Sequence, residues 1–275
     1  MTGITALRSL GLDLGESAIS HFVIAGDHHL ALDGVMLHRT ERMPVCGDEA
    51  VRPVAAFVEY CRWSSVLDAI CAGDWLLNQG HMTSEELAEF LHVDDWRDGV
   101  AQATWVRPLL DGRSRSIPES RCRAYLIFAG LPWPEVNIDV VVNGEQVAIT
   151  DLAFPEWNVA VEYEGGHHQV ERRQYLRDID RYAVLRRQSI DYLQVTRELA
   201  RTPIKVATSV HRLLVRNGYV GPAPIFGPTW RLLFGPIPTG KGAVDRRPFR
   251  PQISPRRTLA HRPDQTTGDR SPRIA

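Results

Sequence analysis

Apolar residues recur along this chain at two spacings, every third or fourth position in some stretches and every second in others, and the alternation between them predicts the elements. Near the start, "AISHFVIA" and "HHLALDGVMLHR" read as strands about an Asp33–Gly34 turn. "VAAFVEYCRWSSVLDAICAGDWLLNQG" keeps the helical spacing throughout and predicts helix. "MTSEELAEFL" predicts another, with Thr83 or Ser84 as its cap and acids in its first turn. Residues 1–110 therefore form a smaller α+β region with the character of scaffold.

A polar, basic break, "LLDGRSRSIPES", follows. Ser116 and then Pro118 mark a helix start, so "PESRCRAYLIFAGLPWP" predicts a capped helix closed by Gly130 and Pro132. "NIDVVVNGEQVAITDLAF" is two β-rich runs about Asn143–Gly144, a strong hairpin signal. "WNVAVEYEG" is a third strand. "RRQYLRDIDRYAVLRRQ" is an amphipathic helix with Tyr175, Ile179, Tyr182 and Leu185 along one side, "IDYLQVT" returns as a strand, and "RTPIKVATSVHRLLVRNG" is a last helix ending at Gly218. This order predicts an α/β domain over residues 113–217, a mixed sheet flanked by helices. Residues 218–275 are rich in Pro, Gly and Arg with little periodicity and are expected to be disordered, "WRLLFGPIP" being the exception with apolar side chains to dock.

Composition narrows the class. A 275-residue chain that is 44% hydrophobic can bury a sizeable core. Its four cysteines show neither C-x-x-C pairs nor matched histidine spacing, which points away from zinc and from a disulfide framework and toward a reducing, cytoplasmic setting. The start lacks a signal-like pattern and no apolar run nears the roughly 20 residues of a membrane span, so no membrane is expected. The net charge of −1 conceals a basic C-terminal end, and by itself argues neither for nor against a nucleic-acid partner.

Acid placement is the unusual feature. In "AITDLAFPEWNVAVEYEGG" two apolar strands end on carboxylates, Asp151 on the first, Glu162 and Glu164 on the second. Residues two apart on a strand share a face about 6.5 Å apart, so Glu162 and Glu164 lie together while Val161 and Tyr163 pack on the other side. Asp151 ends the neighbouring strand and can meet them. An oxygen-only set of this kind suits Mg²⁺ or Mn²⁺. The spacing alone also fits a solvated acidic strand face.

The same stretches resemble a known family. "PESRCRAYLIFAGLPWPEVNIDV", "ITDLAFPEWNVAVEYEGGHH" and "RRQYLRDIDRYAVLRR" are similar to uncharacterised actinobacterial proteins whose C-terminal domain is related to the very-short-patch-repair endonucleases, of the PD-(D/E)XK superfamily. The resemblance implies a restriction-endonuclease-like fold and metal-dependent hydrolysis of DNA, with Asp151 and Glu162 as metal ligands. Glu119 takes the place of the first-helix glutamate, and His168 that of a histidine following the glycine, in contact with phosphate or passing a proton to the leaving group. Glu164 stands where the wider superfamily has lysine. Gln194 stands where relatives often have a basic residue, and with Arg173 it is a candidate nucleic-acid contact. These departures leave room for a non-catalytic nucleic-acid-binding or antitoxin-like module of the same fold. Family members often begin with a winged-helix segment resembling AbiEi antitoxins, implying a toxin–antitoxin type partner; too few residues precede "AISHFVIA" for a full one, so a truncated version is expected. Glu119 also reads as a first-turn acid complementing the helix dipole, and His167 and the charges from Arg173 to Arg181 as a solvated face.

Overall fold

Hydroxyl caps decide where several of the helices begin. The computed structural model describes residues 1–15, 18–27, 30–142, 145–164, 190–240, 247–248 and 259–260. The N-terminal part contains α1 (Gly3–Ser9), β1 (Ser20–Ala25), β2 (Val35–Thr40), α2 (Pro53–Cys61), α3 (Val66–Asn78), α4 (Ser84–Val93) and α5 (Val100–Val106). The Thr83 cap holds as expected, in a reciprocal box with Glu86. The single long helix expected before it is instead two. Ser65 is extended and its Oγ accepts the Asp68 N–H at 3.0 Å, so a local cap starts α3 afresh where apolar spacing alone would run on.

The first two strands also differ from expectation. Asp33–Gly34 closes only an isolated bridge between Leu32 and Val35, and β2 begins after it. β1 and β2 pair in parallel, from Ser20↔Val35 to Ala25↔Thr40. Leu30 and Leu32, before the turn, are exposed, so no burial holds that arm as a hairpin strand.

The second part follows its pattern more closely. α6 (Ile117–Phe128), capped by Ser116, leads into β3 (Glu135–Val142), β4 (Glu145–Phe154) and β5 (Val159–Glu164); then come β6 (Asp191–Thr196), α7 (Arg197–Ala200), α8 (Pro203–Arg216), α9 (Pro228–Leu232) and the short β7 (Leu259–Ala260). The sheet order is β6-β5-β4-β3-β7, antiparallel across β5-β4-β3 and parallel at β6 and β7. The turn residues Asn143–Gly144 and the helix expected over 172–188 lie outside the described residues.

α6 joins the two parts. Its Leu126 and Phe128 belong to the same buried cluster as Leu7, Phe57 and Ile70 on one side and Val161 and Val210 on the other. At the crossing of α3 and α6, Arg123 is almost wholly buried; its Nη2 donates to Asp74 Oδ2 at 2.7 Å and to the Leu109 carbonyl at 2.9 Å. Asp74 Oδ1 in turn accepts the Asp111 N–H at 2.7 Å. The opposite sheet face carries a smaller cluster, Ile138, Val140, Ala153, Ala160 and Ile190.

The segment after Gly218 departs from its expected disorder. Trp230, Leu233 and Ile237 are buried, and Trp230 packs between Phe226 and Tyr125 of α6. The Leu233 and Gly235 carbonyls accept the Leu67 and Val66 N–H groups at 2.9 and 3.0 Å, satisfying first-turn donors of α3 that lack intrahelical partners. These anchors lie in "WRLLFGPIP", the run read as the exception able to dock, and with backbone bonds to a helix terminus they hold it in place.

Candidate functional site

Position 151 is where the central strands part. The β4–β5 rungs are Phe154↔Val159, Ala153↔Ala160 and Leu152↔Val161. One step further, Asp151 stands opposite Glu162, and the carboxylate replaces the main-chain partner: Asp151 Oδ2 accepts the Tyr163 N–H at 2.7 Å. β5 meanwhile stays paired with β6, through Glu162↔Gln194 to Glu164↔Thr196. That hydrogen bond fixes the side chain against the β5 backbone.

Glu162 is completely buried and Glu164 half-buried, on the same strand face by alternation. Asp151 and Glu162 are therefore brought together at the inner end of the β4–β5 pairing, with Glu164 two positions on. His168 and Arg173 lie outside the described residues. Among the described residues, no group of three or more His, Cys, Asp or Glu side chains is gathered as a metal cage.

Glu119 is tied to the same place through an asparagine. Its Oε1 accepts from Ser116 Oγ at 2.9 Å, and its Oε2 from the Arg115 N–H at 2.9 Å and from Asn137 Nδ2 at 2.8 Å. Both oxygens thus serve the start of α6, the capping role that its place in the first turn suggests. Asn137 also donates to the Arg113 carbonyl at 2.8 Å. It sits in β3 between the rungs Val136↔Leu152 and Ile138↔Thr150, so it faces Asp151 across the sheet. Its φ of 48° is a left-handed conformation that asparagine tolerates better than other side chains carrying a Cβ.

Cys122, one turn along α6 from Glu119, reports how close the acids come. Its thiol is pushed up to about 12, first by burial and then by the negative charges of Asp151 and Glu119. Such a thiol stays protonated at neutral pH and is no nucleophile. Asn137 and Cys122 were not singled out by sequence reasoning. For Asn137 a signal existed, a turn-forming residue interrupting "PEVNIDV"; for Cys122 there was none.

A second feature lies on the α6 side of the sheet. Arg121 of α6, Arg197 and Arg201 at either end of α7, Tyr125, Tyr163, Cys122 and neighbouring prolines line a cavity of about 350 Å³. Gln194, the expected contact, lies instead on the β6 rung opposite Glu162.

Comparison with known proteins gives relatives but no activity. The chain is 27% identical over 221 residues to two proteins of Mycobacterium tuberculosis, uncharacterized protein MT2308 of strain CDC 1551 / Oshkosh and uncharacterized protein Rv2248 of strain H37Rv. The match spans 79% of this chain and 82% of each relative. No family model matches the chain, and no solved structure matches it. The architecture is mixed α/β with sheets flanked by helices, and no helix among the described residues is long and apolar enough to cross a membrane. All four cysteines are free.

Proposed function

We propose that the chain is a divalent-metal-dependent nuclease that hydrolyses phosphodiester bonds of DNA, built on an endonuclease-like sheet. The observation that supports it is the pairing of Asp151 with Glu162 where β4 and β5 part, with Glu119 held nearby by Asn137. Two carboxylates from adjacent strands fit Mg²⁺ or Mn²⁺, which take few protein ligands and fill the remaining positions with water and phosphate oxygens. Asp151 and Glu162 would hold the cation. When bound, it would neutralise charge on the phosphodiester and make attack by water easier. Asp151 is oriented by the Tyr163 N–H, and Glu119 keeps the start of α6 in place. His168 is assigned proton transfer to the leaving group.

One observation favours a second reading. Glu164, not lysine, follows Glu162 by two, and the neutral Gln194 is the residue paired with Glu162. A fold-retaining module that binds nucleic acid or a toxin-like partner without cutting would need no cationic side chain there. Purified protein incubated with supercoiled plasmid in Mg²⁺, Mn²⁺ or chelator separates the two. Nicking that needs the cation and disappears in Asp151→Asn supports the nuclease. Binding without nicking under either cation supports the module.

A further inference from the structure

We propose that the cavity between α6 and α7 is a binding subsite for a phosphate group of the nucleic-acid backbone, close to Asp151. The proposal rests on the nuclease reading for the neighbouring acids, but its own support is separate. Three arginines, Arg121, Arg197 and Arg201, line one cavity of about 350 Å³ together with Tyr125 and Tyr163. Arginine presents a planar fork of donors that matches phosphate oxygens, and none of the three is ion-paired with a carboxylate among the described residues. Among the described residues, Arg121 Nε is closed off from solvent and has no acceptor.

The surrounding charges fit the same occupant. Glu198, fully exposed between Arg197 and Arg201 in sequence, has its carboxyl held below the usual range by its own backbone N–H first, then by Thr196 and the two arginines. The floor is Cys122, a protonated thiol that repels no anion.

Position relative to the acids makes the ligand a backbone phosphate. Tyr163 lines the cavity while its N–H holds Asp151, and Cys122, also in the lining, feels the charges of Asp151 and Glu119. Tyr163 of β5 thus links the cavity on the α6 side of the sheet to Asp151, which its N–H holds. A strand of nucleic acid carries phosphates at short regular intervals, and neighbouring ones can occupy both places.

The test uses the full-length protein carrying Asp151→Asn, in metal-free buffer with a fluorescein-labelled DNA duplex. Arg197 and Arg201 are exposed, so the Arg197→Gln/Arg201→Gln double variant keeps the fold, and circular dichroism checks this. Arg121→Gln probes the buried group. The expected result is a loss of about tenfold in DNA affinity for the double variant and a fall of roughly 2 in the slope of log K against log salt, with a further loss on adding Arg121→Gln. Unchanged affinity and slope in the folded double variant overturn the proposal, whether or not the parent protein cuts DNA. Calorimetric titration with inorganic phosphate forms the second arm. Phosphate binding that the double variant loses, beside unchanged DNA binding, assigns the cavity to a free phosphate and overturns the backbone assignment. Retained arginine-dependent binding by a parent that never nicks plasmid supports the subsite and removes only the cleavage reading.

Discussion

Buried charge appears in two places of this molecule, arranged in opposite ways. At the crossing of α3 and α6, Arg123 meets Asp74 at 2.7 Å, and Arg113 meets Asp111 at 2.7 Å, each charge beside its opposite. Where β4 and β5 part, Asp151 and Glu162 are like charges at one level of the sheet, with Glu119 nearby. The first arrangement is complete in itself: breaking it leaves an unpaired ion in the core. On the proposed nuclease reading, the second would gain from an added cation.

The largest effect that could break this contrast is on cleavage. Asp151→Asn keeps the volume and the oxygen that accepts the Tyr163 N–H but removes the charge a hard cation needs. Metal-dependent nicking should fall by orders of magnitude, while the metal-free melting temperature holds or rises because like-charge repulsion is relieved. A large loss of stability with no cleavage to lose would make the strand-end acids structural, like those at the crossing.

At the crossing the expectation is the reverse. Arg123→Met should destabilise the protein by about 3–5 kcal/mol, because Asp74 is left as an uncompensated buried charge. Adding Asp74→Leu should recover much of that loss, since two apolar groups replace a pair whose desolvation was costly. Denaturant titrations measure both. Equal losses in single and double variants would mean that packing, not pairing, holds the crossing.

The two sites also differ in how far the sequence revealed them. That Asp151, Glu162 and Glu164 fall at the ends of neighbouring strands was legible because strand alternation is local and the short stretch 155–158 returns β5 beside β4. The Asp74–Arg123 pair was not, since 49 positions separate its members and nothing in a helical pattern says which helix will cross which. The same holds for Trp230. Its neighbours are prolines and glycines, and its burial depends on a surface made by α3 and α6. The Asp33–Gly34 turn shows the converse: a strong local signal yielded no hairpin because the arm before it had nothing to pack on.

Trp230→Ala sharpens the comparison by testing the crossing from outside. Removing a buried indole that packs on Tyr125 should cost about 3 kcal/mol, and truncation after Gly218 at least as much. Hydrogen exchange should then rise at the start of α3, where the Leu233 and Gly235 carbonyls no longer accept. Unchanged melting on truncation would return the segment to the disorder its composition suggested.

Asn137→Gly is a smaller change aimed at the strand-end acids. Glycine accepts the positive φ, so the loss is the amide's two hydrogen bonds, about 1–3 kcal/mol, with Glu119 Oε2 left less satisfied. If Glu119 only caps α6, cleavage should track the folded fraction. A fall in kcat well beyond the loss of folded protein, recovered by no change in temperature, would show that Asn137 positions the acids for chemistry.

The smallest expected effect is the acid sensitivity of the crossing. Burial pushes the Asp111 carboxyl up, but hydrogen bonds from Arg113 and the charges of Arg123 and Arg113 outweigh it and hold the group below its ordinary value of 3.8. A carboxyl with a depressed folded-state pKa adds stability above its unfolded pKa and loses it as pH falls through the folded one. Arg113→Gln moves the folded value back toward the unfolded one, so the variant should melt lower than the parent at neutral pH. The gap should close as pH drops below about 4, where Asp111 begins to protonate in both. A gap that persists unchanged into acid would show that Arg113 acts through packing, and that the opposite-charge pairing at the crossing adds nothing through its charge.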